Sequence, residues 1–183
     1  MTLMAARYAL MSGTLTLPDS EPCLRRGVLL IDTGRAGQLA PLADALAELG
    51  YPVLRCDGRL ASAIQAFYAH VPGLRQLVLW GRQDRASAAA LSAIGDCRVA
   101  GLVLLDPGGA GLSRWRLQRA MRRFTGPLLL IHSGGTQSAL HWPVLRERAS
   151  VELARLPAPS RAFPAAAWHD AVADIGANWL ASW

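Results

Sequence analysis

Short, uniformly apolar runs alternate along this chain with longer alanine-rich stretches in which leucines recur every three or four residues. The first kind of segment suits a strand covered on both faces, and the second suits a helix with one apolar side. Arg7 to Leu17 reads as an antiparallel hairpin or edge strand pair, ended by Pro18 and Asp19. Val28 to Ile31 reads as a buried strand. A helix from about Gln38 to Leu49 follows, with Leu39, Leu42, Ala43, Leu46 and Leu49 on one face. Gly50 is placed to close that helix in the left-handed conformation, and Tyr51 to Cys56 begins the next strand. The pattern then predicts a helix over Leu60–His70, stopped by Val71-Pro72-Gly73, a strand over Leu74–Trp80, a helix over Asp84–Ile94 and a strand over Val99–Leu105. An amphipathic helix near Leu112–Phe124, a strand over Pro127–His132 and a helix around Ala139–Arg148 come next. A weak strand over Ser150–Leu156 and a last helix over Ala165–Trp183 complete the pattern.

Strands alternating with helices are the mark of a parallel sheet joined by crossover helices, so the fold class is α/β, with a mostly parallel sheet between two helical layers. Ligands bind such open sheets at the carboxyl ends of the strands, near the point where strand order reverses. The positions of interest are therefore Asp32 to Gly37, Asp57 to Arg59, Gly81 to Arg85, Asp106 to Gly109 and His132 to Thr136. With 183 residues and no internal repeat, residues 1–183 read as a single domain.

Composition narrows the classes. Hydrophobic residues make up 52% of the chain and mean hydropathy is +0.22, which excludes a disordered chain. The apolar runs Val28–Ile31, Leu77–Trp80, Leu102–Leu105 and Leu128–Ile131 fall far short of the roughly 20 residues a membrane-spanning helix needs, so no membrane span is expected. Met1 to Leu17 lacks the apolar core and small-residue cleavage site of a secretion signal, and a cytoplasmic location is the expectation. Cys23, Cys56 and Cys97 show no CxxC spacing, and neither a disulfide framework nor a metal site is read from them. Net charge is +6, carried entirely by arginine since the chain contains no lysine. An acidic partner or nucleic acid would suit that balance. The arginines are scattered, however, except for Arg114, Arg116, Arg119, Arg122 and Arg123, and no nucleic-acid motif accompanies them. Gly34 and Gly37 stand where a backbone can approach an anion at a helix start, but Gly-Arg-Ala-Gly lacks the GxGxxG spacing, and no cofactor is expected.

The segment GVLLIDTGRAGQLAPLADALAELGYPVLRCD, Gly27 to Asp57, resembles the oxyanion strand, first helix and following strand of an α/β-hydrolase. LVLWGRQDRASAAALSAIGDCRVAGLVLLDP, Leu77 to Pro107, is similar to that fold's nucleophile strand, elbow, helix and next strand. More narrowly, LVLWG with ASAA, the VAGLVLLDP strand and AWHDAVADIGANWL resemble the exosortase A system-associated hydrolases, a bacterial group linked to exopolysaccharide loci. The likeness implies a three-layer α/β-hydrolase-like fold. The short stretches after Asp57 and Pro107 leave a minimal or absent cap, and the basic helix Leu112–Arg123 takes the place where active relatives elaborate one.

The same likeness locates the positions that hydrolysis requires. An elbow of the form GxSxG places a nucleophile at its centre in a tight strand-to-helix turn flanked by small residues. Here the five residues are Gly81-Arg82-Gln83-Asp84-Arg85. The narrower family implies a cysteine where Gln83 stands, and an amide cannot act as a nucleophile under a histidine base. A triad also needs an acid to orient its histidine, yet His132-Ser133-Gly134-Gly135-Thr136-Gln137 follows the late strand without Asp or Glu. The family's histidine, in an HTF pattern before the last helix, is matched in register by Arg161 of Arg161-Ala162-Phe163. These substitutions point to a non-catalytic homologue that binds a small ligand or a partner protein, or to a decayed gene product. Gly34, Gln83, Asp84 and Arg161 are its candidate binding positions.

The rival is an esterase-like or thioesterase-like hydrolase with a rewired site drawn from Ser87, Ser133, His132, Asp106 or His169. Each of these has an ordinary structural reading. His169 lies beside Trp168 inside the last helix and reads as a helix-surface residue, and Asp106 opens an Asp-Pro-Gly-Gly turn or N-cap. His132 and Ser133 are adjacent on a strand and should point to opposite faces, and His141 and Trp142 should pack on a helix. Within the basic helix, Arg116, Arg119 and Arg123 share one face beside Leu112, Trp115 and Leu117. That face reads as solvated scaffold or, alternatively, as a docking face for an anion or an acidic partner.

Overall fold

The computed structural model describes residues 6–10, 13–18, 26–32, 39–56, 60–83, 85–107, 112–134 and 150–182. Its elements, in chain order, begin with strands β1 (Ala6–Leu10), β2 (Gly13–Leu17) and β3 (Arg26–Ile31), helix α1 (Ala40–Glu48), β4 (Val53–Cys56) and α2 (Leu60–His70). They continue with β5 (Gln76–Arg82), α3 (Arg85–Gly95), β6 (Val99–Leu105) and α4 (Leu112–Arg123), then β7 (Leu128–Ser133), β8 (Val151–Leu156) and α5 (Ala165–Ala181). All eight strands form one sheet in the order β1-β2-β4-β3-β5-β6-β7-β8. β1 pairs antiparallel with β2 and β2 antiparallel with β4, while every other neighbouring pair is parallel.

Both faces of the sheet are buried, and the two-residue period of a strand divides its side chains between them. In β3, Leu29 and Ile31 belong to a core with Phe67 of α2, Ala89 of α3 and Met121 of α4. Val28 and Leu30 belong to the opposite core, with Leu42 of α1 and Trp168 and Leu180 of α5. Full burial of one such aliphatic side chain is worth about 1.5–3 kcal/mol, so an uninterrupted apolar strand is stabilised from both sides. This is why the central strands show no polar alternation.

The local signals act as expected at the end of α1. Gly50 has φ 92°. Its N–H donates to the carbonyl of Ala47 at 2.9 Å, and the Tyr51 N–H to that of Leu46 at 3.1 Å. This pair of bonds is the glycine-closed helix end that satisfies carbonyls otherwise left without partners. β5 differs from the sequence reading: it covers Gln76–Arg82 rather than Leu74–Trp80. Leu74 is buried within the turn that follows Gly73 at φ 89°, and the strand runs past Trp80 to pair Gly81 with Leu104 and Arg82 with Leu105. The helix expected around Ala139–Arg148 lies outside the described residues, as do Cys23, His141 and Trp142. Six residues, 106–111, separate β6 from α4 in sequence.

Candidate functional site

From β3 the chain moves outward to β4, and from β5 it moves the other way to β6, so strand order reverses between β3 and β5. The crevice at the carboxyl ends of these two strands is where an open sheet receives a ligand. Gln83 is the first residue after β5 and sits at this point with φ 51°, the left-handed region that a side chain other than glycine's occupies at a cost. Its N–H donates to the Leu105 carbonyl at 2.9 Å, and its own carbonyl accepts the Ala86 N–H at 3.2 Å. A single residue thus turns the strand into α3 and leaves its side chain exposed.

The turn is tight because α3 lies directly on the strand end. A Cβ at Gly81 would stand 2.7 Å from the Ala86 Cα and 2.8 Å from both the Ala89 Cβ and the Arg85 carbonyl. Arg82 faces the other layer, its guanidinium 5.3 Å from the centroid of the buried Trp168 ring of α5. Arg85, in the position where the elbow pattern has a small residue, is half-buried as the first residue of α3. Gly34, Gly37, Asp84 and Thr136 lie outside the described residues, as does the side chain of Ser87 on α3.

At the ends of β6 and β7 the structure brings together three of the sequence candidates. Asp106, at φ 45°, accepts the Ser133 N–H through Oδ1 at 2.6 Å and the Ser133 hydroxyl through Oδ2. His132 Nδ1 lies 4.0 Å from Asp106 Oδ1. The side chains of β7 alternate between the two cores, Leu128 and Leu130 on one face and Leu129 and Ile131 on the other, so His132 and Ser133 follow on opposite faces as expected, and the Asp106 carboxylate bonds the second while lying near the first. His132 is 8% exposed, and neither ring nitrogen has a hydrogen-bond partner. Burial pushes its pKa below the ordinary histidine value. The Asp106 carboxylate opposes that shift and Arg155 adds to it.

This cluster does not form a nucleophile–histidine–acid relay. In such a relay the histidine stands between hydroxyl and carboxylate. Here the Ser133 hydroxyl donates straight to Asp106 and bypasses His132. Arg161 is exposed in the loop between β8 and α5, within a turn in which the Ser160 N–H donates to the Phe163 carbonyl at 2.8 Å. His169 is half-buried on α5, edge-on to Trp168 at 5.2 Å between ring centroids. Asp32, at the end of β3, is buried with Arg55 Nη1 3.8 Å from its Oδ2. The sequence marks Asp32 only as a strand-end position, because its ion partner comes from the neighbouring strand β4. Among the described residues no three His, Cys, Asp or Glu side chains gather as a metal site would require.

The strand order, the turn after β5 and the two helical layers define an α/β-hydrolase fold. No protein-family model matches the sequence, and no curated protein is similar to it. Solved structures are. The esterase domain of a Rhodothermus marinus protein superposes with a TM-score of 0.71 at 19% identity, covering 97% of this chain and 96% of that one. An alpha-beta serine hydrolase homologue from Coxiella burnetii gives 0.68 at 15% identity, covering 98% and 99%. Est1E from Butyrivibrio proteoclasticus gives 0.65 at 13%, covering 98% and 100%. At these identities the likeness establishes the fold, and the chemistry has to be argued from this chain's own residues.

Proposed function

We propose that this chain is a non-catalytic α/β-hydrolase homologue, a single domain over residues 1–183 that binds a ligand or partner at the elbow crevice instead of cleaving it. The observation that carries the reading is Gln83: it holds the left-handed elbow conformation at the end of β5, with an amide where a nucleophile would stand. Gln83 and Arg161, with Gly34 and Asp84, are the proposed binding positions. The LVLWG, VAGLVLLDP and AWHDAVADIGANWL segments support a narrower kinship with the exosortase A system-associated hydrolases, and so a cytoplasmic role tied to exopolysaccharide loci.

One observation favours a second reading, an esterase with a rewired site: Asp106, His132 and Ser133 meet at the ends of β6 and β7. The direct bond from Ser133 to Asp106 weighs against it. Hydrolysis of p-nitrophenyl acetate tests the choice. Wild type and Gln83→Ser should both stay at the background of heat-denatured protein, since a serine without its base forgoes about 10² to 10⁴ in rate. Saturable turnover by the wild type that disappears in His132→Ala would establish the second reading instead.

A further inference from the structure

Away from the elbow, on the solvent side of α3 and α4, the two helices enclose an open cavity of about 280 Å³. Leu91, Ile94 and Trp115 form its apolar wall, and Arg116, Arg119 and Arg123 line its rim. No strand residue lines it, and neither Gln83 nor Asp106 nor Ser133 reaches it. We propose that this cavity is a binding site for a soluble anionic amphiphile, a small molecule with one phosphate, sulfate or carboxylate head and an aliphatic or aromatic body.

Two independent features converge on that chemistry. The first is apolar exposure: Leu91, Ile94 and Trp115 are 49%, 38% and 53% exposed, half of the six exposed large hydrophobic side chains among the described residues, and all three line this cavity. Single exposed apolar residues are ordinary, whereas a contiguous group rimmed by polar residues marks a binding surface. The second is charge. Neither α3 (RASAAALSAIG) nor α4 (LSRWRLQRAMRR) contains an acidic residue, so three guanidinium groups share the rim with no carboxylate from either helix to neutralise them. Guanidinium pairs with phosphate or carboxylate through two parallel hydrogen bonds. The Arg119 guanidinium already rests 5.3 Å from the centroid of the Trp115 ring, which limits the side-chain freedom it would lose on binding. A neutral lipid-like molecule would leave the arginines unpaired, and a bare anion would leave the apolar wall wet. A concave site suits a small body better than a flat membrane surface does.

Octyl phosphate, held below its micelle concentration, is the probe. It should bind one per chain, at least tenfold tighter than octyl glucoside or inorganic phosphate, and more weakly as salt rises. Arg116→Gln/Arg119→Gln/Arg123→Gln should lose at least tenfold in affinity while keeping the wild-type melting temperature. Trp115→Ala should lose affinity by removing both the wall and the platform under Arg119. Should the triple variant fail to fold, Trp115→Ala and the salt series still decide the matter. Equal binding of octyl glucoside, or unchanged binding by the folded triple variant, would overturn the proposal. So would arginine-dependent retention on phosphatidylglycerol vesicles or on DNA without any binding of octyl phosphate.

Discussion

At Gln83 a left-handed backbone is held by two hydrogen bonds, 2.9 Å to Leu105 and 3.2 Å from Ala86. A residue with a Cβ gives up roughly 1–2 kcal/mol in that conformation, and glycine avoids this at some cost in unfolded-chain entropy. Gln83→Gly should therefore stabilise the protein by up to about 1 kcal/mol, roughly 2–4 °C in melting temperature for a chain of this size; a lower melting temperature would mean that the amide makes contacts worth more than the strain. His132 carries the second expectation. Its folded pKa lies below the unfolded value of about 6.5, so the unfolded chain binds more protons between the two. The contribution of this group is complete above about pH 6.5 and is lost as pH falls towards the depressed folded pKa. Urea titrations from pH 8 to pH 5 should show stability falling in wild type and falling less in His132→Leu. Because both ring nitrogens lack partners, the leucine should cost little at pH 8, where a buried unpaired polar group is itself a burden of about 1–3 kcal/mol. Parallel pH curves for the two proteins would remove His132 as the titrating group. The elbow position itself was legible in the sequence, since Gly81 at a strand end before a helical run marks it. The meeting of Asp106 with Ser133 was not, because that contact spans two strands that are neighbours only in the folded sheet.

Between elements, α5 comes close to the sheet at Gly176. A Cβ there would lie 2.3 Å from Cη2 and 2.5 Å from Cζ2 of Trp80 in β5. Gly176→Ala should cost about 1–3 kcal/mol by overpacking. Trp80→Phe opens a void and also removes a buried indole N–H that has no partner, which offsets part of its own penalty. In the double variant the added methyl enters the space the indole leaves, so the two losses should sum to less than their separate values by at least about 1 kcal/mol. Additivity within about 0.5 kcal/mol would show that helix and strand shift apart instead. Element type was readable throughout the described chain because the strand and helix periods are strong, and α2 and β6 fall where the pattern puts them. The edges of β5 were not. Leu74 extends the apolar run into a turn and Arg82 hides the strand's last residue, since hydropathy records burial and the ladder records hydrogen bonding.

Over the whole molecule the sheet is unequally supported, and strand order, which single-chain periodicity does not encode, decides where. β3, β5 and β6 each pair on both sides and lie between two helical layers. β1 and β8 end the sheet with one partner each. Arg7, Tyr8 and Ala9 of β1 are exposed, as are Glu152, Leu153 and Arg155 of β8. Charged side chains along a free edge discourage pairing with other chains, but they add little burial, so these strands gain less from folding than the centre does. No helix of the described residues is long and apolar enough to cross a membrane, and among the described residues five helices cover the sheet. Regions with few buried apolar side chains open locally, with free energies well below that of global unfolding, which is about 5–15 kcal/mol for a domain of ordinary stability. Amide hydrogen exchange in rising urea should therefore separate the strands. Amides of Leu29, Leu79 and Val103 should exchange only through global unfolding, with a strong urea dependence. The β8 amides bonded to β7, and the β1 amides bonded to β2, should exchange several kcal/mol more readily and with a shallow dependence. Equal protection across all eight strands would mean that the edges are held by contacts beyond the paired ladder and would refute this ordering.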